Sequence, residues 1–259
     1  MVKRSSFKIF LAVQNALFLR ELSMRFSSGR IGIFWTFFEP FFQIMVFILI
    51  KLLIFNSGDN HFDFAVFLAL NFTAFNMFKN IVMKSTGAFK ANKALFIYKQ
   101  VKPIDTIIAR TMVEIFITGI IILIFLLIGF YFDFDMVVDD LSMVGFGFLW
   151  LMVFAFAFAL VVAVFNVFVD SIGKLISFFM TALMFTSAVF YPIEALPLEL
   201  QHWLMYNPVA HFMEIIHGFY FEALDDRFVS YGYIFLWTII LLYMGLWLYV
   251  KLEKRIISI

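Results

Sequence analysis

The amino-acid sequence predicts an all-α integral membrane protein with six spanning helices, and three observations lead to this fold class. Hydrophobic residues make up 64% of the chain and charged residues only 14%, whereas a soluble domain is about half apolar and a quarter charged. The mean hydropathy is +1.00. Six apolar stretches, each about the length that crosses a bilayer, alternate with charged connections. Most of the 40 Phe residues, including those in 154–160, are accordingly expected to face lipid.

The predicted spans follow an amino-terminal segment that does not itself span. Residues 7–19 are short, and Lys8, Gln14 and Asn15 interrupt them. A signal peptide would be followed by a small-residue cleavage site, but charged residues follow instead. Residues 1–32 are therefore interpreted as a retained helix along the membrane surface, ahead of a transmembrane domain at 33–259. The spans are residues 33–54, 64–83, 104–131, 142–168, 172–190 and 231–250.

The distribution of charge predicts the orientation of the spans. Fifteen of the 19 basic residues lie before the first span, around the connection between the second and third spans, and after the last span. The other three long connections contain twelve acidic residues and one basic residue, Arg227. Since basic loops remain in the cytoplasm, both termini are expected inside. The basic segments are 1–30, 79–102 and 251–259, and the acidic segments are 56–63, 132–141 and 191–230.

The acidic segment 191–230 is expected to be broken, because three of the five prolines of the chain interrupt it. Its apolar pieces, 196–206 and 209–221, are too short to cross a bilayer. We interpret them as two short helices that re-enter from the outer surface and pack against protein, since turns with unpaired backbone groups are excluded from lipid. The alternative is an external loop with amphipathic helices.

Four motifs, taken in order along the chain, resemble one family. The stretch LFLRELSMRFSSGRIGIFWTFFEP at 17–40 is similar to the start of ABC-2 type exporter permeases, which have an Arg-rich surface helix and then a Gly, a Trp and a Pro. GAFKANKALFIYKQVKPIDTIIAR at 87–110 resembles the capsular polysaccharide export permeases in particular. FYPIEALP at 190–197 and YNPVAHFMEIIHG at 206–218 resemble outer-loop motifs of the same family. The matching residues of the first motif are Arg20, Arg25, Gly32, Trp35 and Pro40.

This resemblance implies an ABC-2 (type V) exporter permease fold in the bacterial inner membrane. Two copies of the chain would form a channel for a capsular polysaccharide, lipid-linked at one end, and work with two copies of a separate ABC ATPase. The ATPase would use ATP and Mg, whereas this chain is expected to bind no cofactor and to catalyse no reaction. Its sequence has no phosphate loop of the form GxxxxGK[ST] and no Cys. Membrane lipid and periplasmic or outer-membrane export proteins are further expected partners; nucleic acid is not.

The basic segment 84–103 is expected to transmit the motion of the ATPase. Gly87 and Pro103 bracket a short helix that could lie in a groove of another subunit. A plain positive-inside loop would explain the lysines but not the aromatic residues near them, and the resemblance favours coupling. The residues assigned to ATPase coupling are Phe89, Lys90, Asn92, Lys93 and Phe96.

Candidate residues for a translocation path occur in two of the predicted spans. Arg110 and Glu114 are one helical turn apart; they either line the path or form an ion pair that neutralises itself, and the second reading is favoured. Pro40 kinks the first span beside Glu39, or forms the inner mouth of a channel whose aromatic rings stack on sugars. The path candidates are Phe34, Trp35, Phe38, Glu39, Arg110 and Glu114.

The outer segment carries three histidines and the candidates for an outer gate. The spacings of His202, His211 and His217, nine and six residues, match no HExxH-type ligand pattern. We therefore interpret them as polar interfacial residues and expect no metal site. The outer-gate candidates, assigned from the motifs, are Tyr191, Pro192, Asn207 and Pro208.

Three other functions remain open at the level of sequence. One is export of an O-antigen or a teichoic acid by the same kind of permease. Another is a membrane-embedded enzyme that modifies glycans with the external histidines. The last is an ion-coupled secondary transporter, a class that often breaks helices in both halves; Pro40 interrupts a span of the first half, but no span of the second half has a matching break.

Overall fold

The computed structural model describes residues 6–26, 29–54, 63–224 and 226–258, and every regular element within them is a helix. Residues 1–5 and 27–28 of the expected surface segment, and Asp59 and Asp225 of the acidic segments, lie outside this description. The α-helices are α1 (Ser6–Phe26), α2 (Gly29–Ile54), α3 (Phe64–Thr86), α4 (Ala88–Ala91), α5 (Pro103–Tyr131), α6 (Leu141–Phe168), α7 (Ile172–Phe185), α8 (Leu198–Leu204), α9 (Pro208–Gly218) and α10 (Tyr231–Ser258), with 3₁₀ helices at Lys93–Ile97 and Ile193–Ala195.

Four of these helices, α3, α5, α6 and α10, are long and apolar enough to cross a membrane. Helix α2 has 26 residues, with Pro40 inside it, and its apolar part runs over Phe34–Ile50. The predicted span 172–190 is not one continuous helix, because α7 ends at Phe185 after 14 residues. At 1.5 Å per residue this helix is about 21 Å long, less than the roughly 30 Å of a hydrocarbon core. The number of six spans therefore stays a prediction.

The centre of the bundle is the contact between α3 and α6. The ring of Phe154 on α6 lies 5.9 Å from that of Phe78 on α3 and 5.1 Å from that of Phe212 on α9. The stretch 154–160, expected to face lipid, is therefore part of the protein core, and its three alanines are completely buried. Alanines between the aromatic residues leave room for neighbouring helices to approach and cover the rings.

Helix α9 is short and lies inside the bundle. Every residue from Val209 to Gly218 is buried, and the helix packs against α3 and α6. It begins with a proline at its first position and with Asn207, whose side chain accepts a hydrogen bond from a backbone amide of the first turn. Gly147 of α6 permits the close approach, since an added Cβ would lie 2.9 Å from two isoleucine side chains of α9. Helix α8, by contrast, is mostly exposed.

Helix α1 runs beside the first half of α5. Gln14 Nε2 donates a hydrogen bond to Asp105 at 3.1 Å. Further along, ion pairs join residues 21 and 25 of α1 to residues 110 and 114 of α5. The residue numbers of the partners rise together, so the two helices are parallel where they meet. The expected amino-terminal helix is present and is fastened to the bundle over about three turns.

Candidate functional site

The side chains that α1 and α5 bring together form a partly buried ionic seam. Glu21 accepts from Nε of Arg110 at 3.2 Å and pairs with Arg20 at 3.3 Å. Arg25 Nη2 lies 3.0 Å from a carboxylate oxygen of Glu114, whose side chain is only 4% exposed. A charge that is shielded from water costs free energy unless it is paired. Here Glu21 and Glu114 each have an arginine partner.

The expected ion pair between Arg110 and Glu114 is wrong. Both side chains project from α5 one turn apart, but Arg110 pairs with Glu21 and Glu114 pairs with Arg25. Arg110 also donates to the backbone carbonyl oxygen of Lys84 on α3. A spacing of four residues identifies neighbours on one helix only, and the competing partners come from a helix some 90 residues away in sequence.

The segment 84–103 folds back onto its own chain. Phe89 and Phe96 are only 3% and 7% exposed, and the ring of Phe89 lies 6.5 Å from that of Tyr249 on α10. Neither ring has a free face in this structure, and the assignment of these two residues to ATPase coupling stays a prediction. The rings instead hold the segment against the helical bundle.

Asn92 connects this segment to the ionic seam. Its buried side chain accepts a hydrogen bond from Arg20 and donates one to a carbonyl oxygen of α4 at 2.9 Å. Because Arg20 pairs with Glu21, and Glu21 with Arg110, a continuous chain of polar contacts runs from the segment through α1 to α5. Asn92 is thus an internal link in this structure, and its assignment to ATPase coupling stays a prediction.

The exposed face of the same segment contains Lys93, Ile97 and Tyr98. Ile97 and Tyr98 are 82% and 65% exposed, although sequence reasoning did not assign them to the site. A cavity of about 550 Å³ lies between this face and the end of α10. Lys90 forms an ion pair with Asp170 in the connection between α6 and α7, and its hydrogen bond and charge lower the pKa of the Asp170 carboxyl below its ordinary value.

A polar cavity of about 260 Å³ lies among α2, α3 and α5 and is also lined by Arg25 of α1. It is lined by Trp35 and Glu39 of α2 and by Glu114 of α5, so three of the path candidates meet there. Lys79 and Lys84 of α3 line it as well. Within the part of the chain that the structure describes, neither lysine forms an ion pair. An adjoining cavity of about 270 Å³ is lined by the other charged candidate, Arg110.

The remaining path candidates, Phe34 and Phe38, belong to a row of aromatic rings on α2. Phe34 and Phe38 stack with their ring centroids 4.8 Å apart, and Phe38 and Phe42 stack at 5.9 Å. Trp35 lies edge-on to Phe38 at 5.6 Å and connects the row to the polar cavity. Sequence reasoning missed Phe42, which its spacing of four residues from Phe38 could have indicated.

Two of the outer-gate candidates, Asn207 and Tyr191, contact the end of α7 or the turn that follows it. The side-chain amide of Asn207 donates to the turn 186–187, to a carbonyl oxygen at 2.9 Å and a hydroxyl at 2.8 Å. The hydroxyl of Tyr191 donates to the carbonyl of the last residue of α7 at 2.6 Å. Pro192 precedes the second 3₁₀ helix and Pro208 begins α9. Asn207 thus fastens the start of α9 to the end of α7.

His211 and His217 are buried, so their interpretation as interfacial residues is wrong. His211 Nε2 is hydrogen-bonded to the carbonyl of Met205 at 2.9 Å. His217 is hydrogen-bonded at 2.9 Å to Glu214 on the same helix and at 3.1 Å to Asn71 on α3. Hydrogen bonding is what allows polar groups to lie in such a core. Among the described residues, no group of three metal-ligating side chains comes together.

Comparison with known proteins places these features in a family context. The family described as ABC-2 type transporter matches residues 14–221. The polysialic acid transport protein KpsM of Escherichia coli is 29% identical over 256 residues, which cover 98% of this chain and 99% of that protein.

Two further relatives are also similar over almost their whole length. The capsule polysaccharide export inner-membrane protein CtrC of Neisseria meningitidis serogroup A is 26% identical over 260 residues, covering 98% of this chain and 97% of that protein. The capsule polysaccharide export inner-membrane protein BexB of Haemophilus influenzae is 25% identical over 249 residues, covering 94% and 93% respectively.

Proposed function

This chain belongs to the ABC-2 type transporter family, and on that premise we propose that it is the membrane-spanning subunit of an exporter of capsular polysaccharide in the bacterial inner membrane. One observation carries the proposal: the similarity extends over nearly the full length of relatives whose names describe polysialic acid transport and capsule polysaccharide export. The cargo would be a polysaccharide, lipid-linked at one end, that is made inside the cell.

The energy for export would come from a separate subunit. The sequence contains no phosphate loop of the form GxxxxGK[ST], so we propose that two copies of an ABC ATPase bind ATP and Mg and act on two copies of this chain. Periplasmic or outer-membrane export proteins would receive the polymer. The permease itself would bind and guide the glycan without making or breaking a covalent bond.

Coupling would begin at the exposed face of the segment 84–103. Ile97 and Tyr98 are apolar groups exposed in a basic segment, and with Lys93 they suit a groove on the ATPase. Displacement of this face would be carried inward by the link from Asn92 through Arg20 and by the ionic seam between α1 and α5. Since these contacts are hydrogen-bonded and largely buried, they can move as one body.

The glycan path would start at the polar cavity among α2, α3 and α5. Its carboxylates and lysines can form hydrogen bonds with sugar hydroxyls, and Trp35 presents an indole ring at the same place. The row formed by Phe34, Phe38 and Phe42 continues this aromatic surface along α2. Sugar rings have apolar faces that pack on aromatic rings, so such a row would support sliding of a polymer without fixing it at one position.

At the opposite end, we propose that the turn after α7 acts as the outer gate. Asn207 and Tyr191 hold this turn by hydrogen bonds to backbone carbonyls. Release of these few contacts would let the turn move while α9 stays buried in the bundle. Pro192 and Pro208 both follow this turn and restrict the backbone of the segment that joins it to α9.

A pair of matched substitutions tests the proposed coupling. Ile97→Asp places a carboxylate in the exposed face, and we expect loss of ATPase co-purification and of surface polysaccharide. The loss of one apolar anchor costs about 2 kcal/mol or more, which is roughly a 30-fold weaker complex. Val137→Asp is the control, because Val137 is 77% exposed but lies in the acidic connection after α5.

Both variants should be inserted and should unfold at the wild-type temperature when purified without the ATPase, since exposed positions rarely affect stability. A variant Ile97→Asp that still retains the ATPase and still exports polysaccharide would contradict the proposal. Loss of export by Val137→Asp to the same degree would show that the effect is not specific to this face.

A further inference from the structure

An apolar cavity continues the polar cavity along the same three helices. It has a volume of about 240 Å³ and is lined by α2, α3, α5 and the connection after α5. On α2 the two linings meet between Pro40 and Phe41, and on α3 they are one turn apart, at Thr73 and Ala69. The two cavities therefore lie end to end in one groove.

The chemistry of this groove changes in one direction along α3. Lys84 and Lys79 are followed by the uncharged polar Asn76, and then by Ala69 and Ala65 in the apolar cavity. Lys84 and Ala69 are fifteen positions apart on α3, which corresponds to about 22 Å of helix. A groove that is cationic at one end, polar in the middle and apolar at the other end matches a molecule with a charged head and a hydrocarbon chain.

The cationic end of the groove has more positive than negative side chains, and one of its hydrogen-bond donors has no partner among the described residues. Arg25, Lys79 and Lys84 line it against two carboxylates, Glu39 and Glu114, so the lining carries a surplus of one positive charge. Arg25 is paired with Glu114 through one terminal nitrogen, but its Nε is buried without a hydrogen-bond partner in the described structure.

The polar middle of the groove also has an unused acceptor, because Asn76 Oδ1 is buried without a partner within the described residues. A buried donor or acceptor left unpaired costs free energy. The unpaired Nε of Arg25 therefore favours a ligand that brings an anion to the cationic end of the groove.

We infer that this groove binds one anionic glycerophospholipid from the membrane. Its phosphate lies against Arg25, Lys79 and Lys84, and part of one acyl chain lies in the apolar cavity. The head of this lipid lies beside Trp35 and Glu39, so its role in export rests on the proposed function, whereas the binding itself does not.

The test is lipid binding to the purified chain, measured by native mass spectrometry in detergent. The probes are dioleoyl phosphatidylglycerol, dioleoyl phosphatidylcholine, short-chain dihexanoyl phosphatidylglycerol and inorganic phosphate. We expect the first to bind most tightly. The double variant Lys79→Gln/Lys84→Gln should bind it about tenfold more weakly or worse, because charge-assisted contacts to the phosphate are lost, with little change for phosphatidylcholine.

A second variant, Ala69→Phe, fills the apolar cavity and should weaken both long-chain lipids while leaving dihexanoyl phosphatidylglycerol unchanged. Lys174→Gln/Lys254→Gln and Ala182→Phe are matched controls at exposed positions and should bind as wild type does. Size-exclusion elution of each variant confirms that it is folded.

Four results would overturn the inference. They are unchanged phosphatidylglycerol binding by Lys79→Gln/Lys84→Gln, unchanged long-chain binding by Ala69→Phe, binding of inorganic phosphate as tight as that of the lipid, and dissociation of a dimer by Ala69→Phe, which would make the groove an interface between copies. Because neither the ATPase nor the cargo is present, failure here leaves the export proposal untouched.

Discussion

At the scale of single residues, the charged side chains of α1 and α5 show how a membrane protein keeps ions in its interior. Glu21 and Glu114 each form an ion pair with an arginine, and both arginines are partly shielded from water. Such pairs contribute little net stability, yet removal of one partner is costly because the other stays buried and unpaired. The pairs therefore fix the position of α1 on α5 more than they stabilise the fold.

Double-mutant cycles on purified protein distinguish the actual partners. We expect Glu114→Ala to lower the free energy of unfolding by about 3–5 kcal/mol, because it strands the charge of Arg25. Removal of both Arg25 and Glu114 should cost less than the sum of the single changes, with a coupling energy of roughly 0.5–3 kcal/mol. The control cycle combines Arg110 and Glu114, which are not paired, and should be closer to additive. A larger coupling energy in the control cycle would contradict the pairing described here.

At the scale of elements, the position of α9 depends on a glycine in its neighbour. Gly147 lies on α6 where α9 crosses it, and an added Cβ would be 2.9 Å from side-chain carbons of Ile215 and Ile216. Both isoleucines are completely buried, so they have little freedom to move away. The short helix can lie inside the bundle because α6 presents a backbone surface at that point.

Two glycine substitutions on the same helix test this dependence. Gly147→Ala should lower the free energy of unfolding by about 1–3 kcal/mol, the usual cost of overpacking a core. Gly145→Ala, two residues away, meets nothing within 4 Å and should be neutral or stabilising by up to about 1 kcal/mol through helix propensity. Thermal unfolding in detergent measures both. Equal effects of the two substitutions would show that α9 does not pack tightly on Gly147.

At the scale of the whole molecule, the charge pattern predicts one orientation in the membrane for all the helices. Basic residues are concentrated in three segments and acidic residues in the three segments between them. If the basic segments face the cytoplasm, the segment 84–103 and both termini lie on the cytoplasmic side. The turn after α7 and helix α8 then lie on the outer side.

Labelling of single cysteines tests this topology, and the chain has no native Cys to remove. Cys introduced at Lys99 or Lys254 should react with a membrane-impermeant maleimide only after the cells are opened. Cys at Val137 or Glu199 should react in intact cells; all four positions are exposed, so poor access does not explain a missing signal. Labelling of position 99 or 254 in intact cells would overturn the orientation.

Much of the helical framework could be predicted, because hydrophobicity and charge act locally along the chain. The predicted spans 64–83, 104–131, 142–168 and 231–250 each lie within an observed helix. The predicted surface segment 1–32 contains α1, and the segment 191–230 contains two short α-helices. The end of α7 at Phe185 could not be predicted, since the apolar residues up to 190 are compatible with further helix. The turn that follows accepts a hydrogen bond from the side chain of Asn207, which lies in a different segment of the chain.

The sequence by itself determined that this chain is an all-α membrane protein of the ABC-2 type, because a surplus of apolar residues and the order of its motifs are properties of the chain alone. Only the tertiary structure decided which ion pairs the charged residues form and which rings of the segment 84–103 are buried. It also decided which helices surround α9. Hydrogen bonds and packing contacts join residues that are distant in sequence. Arg25 reaches Glu114, and His217 reaches Asn71, only once the helices are assembled.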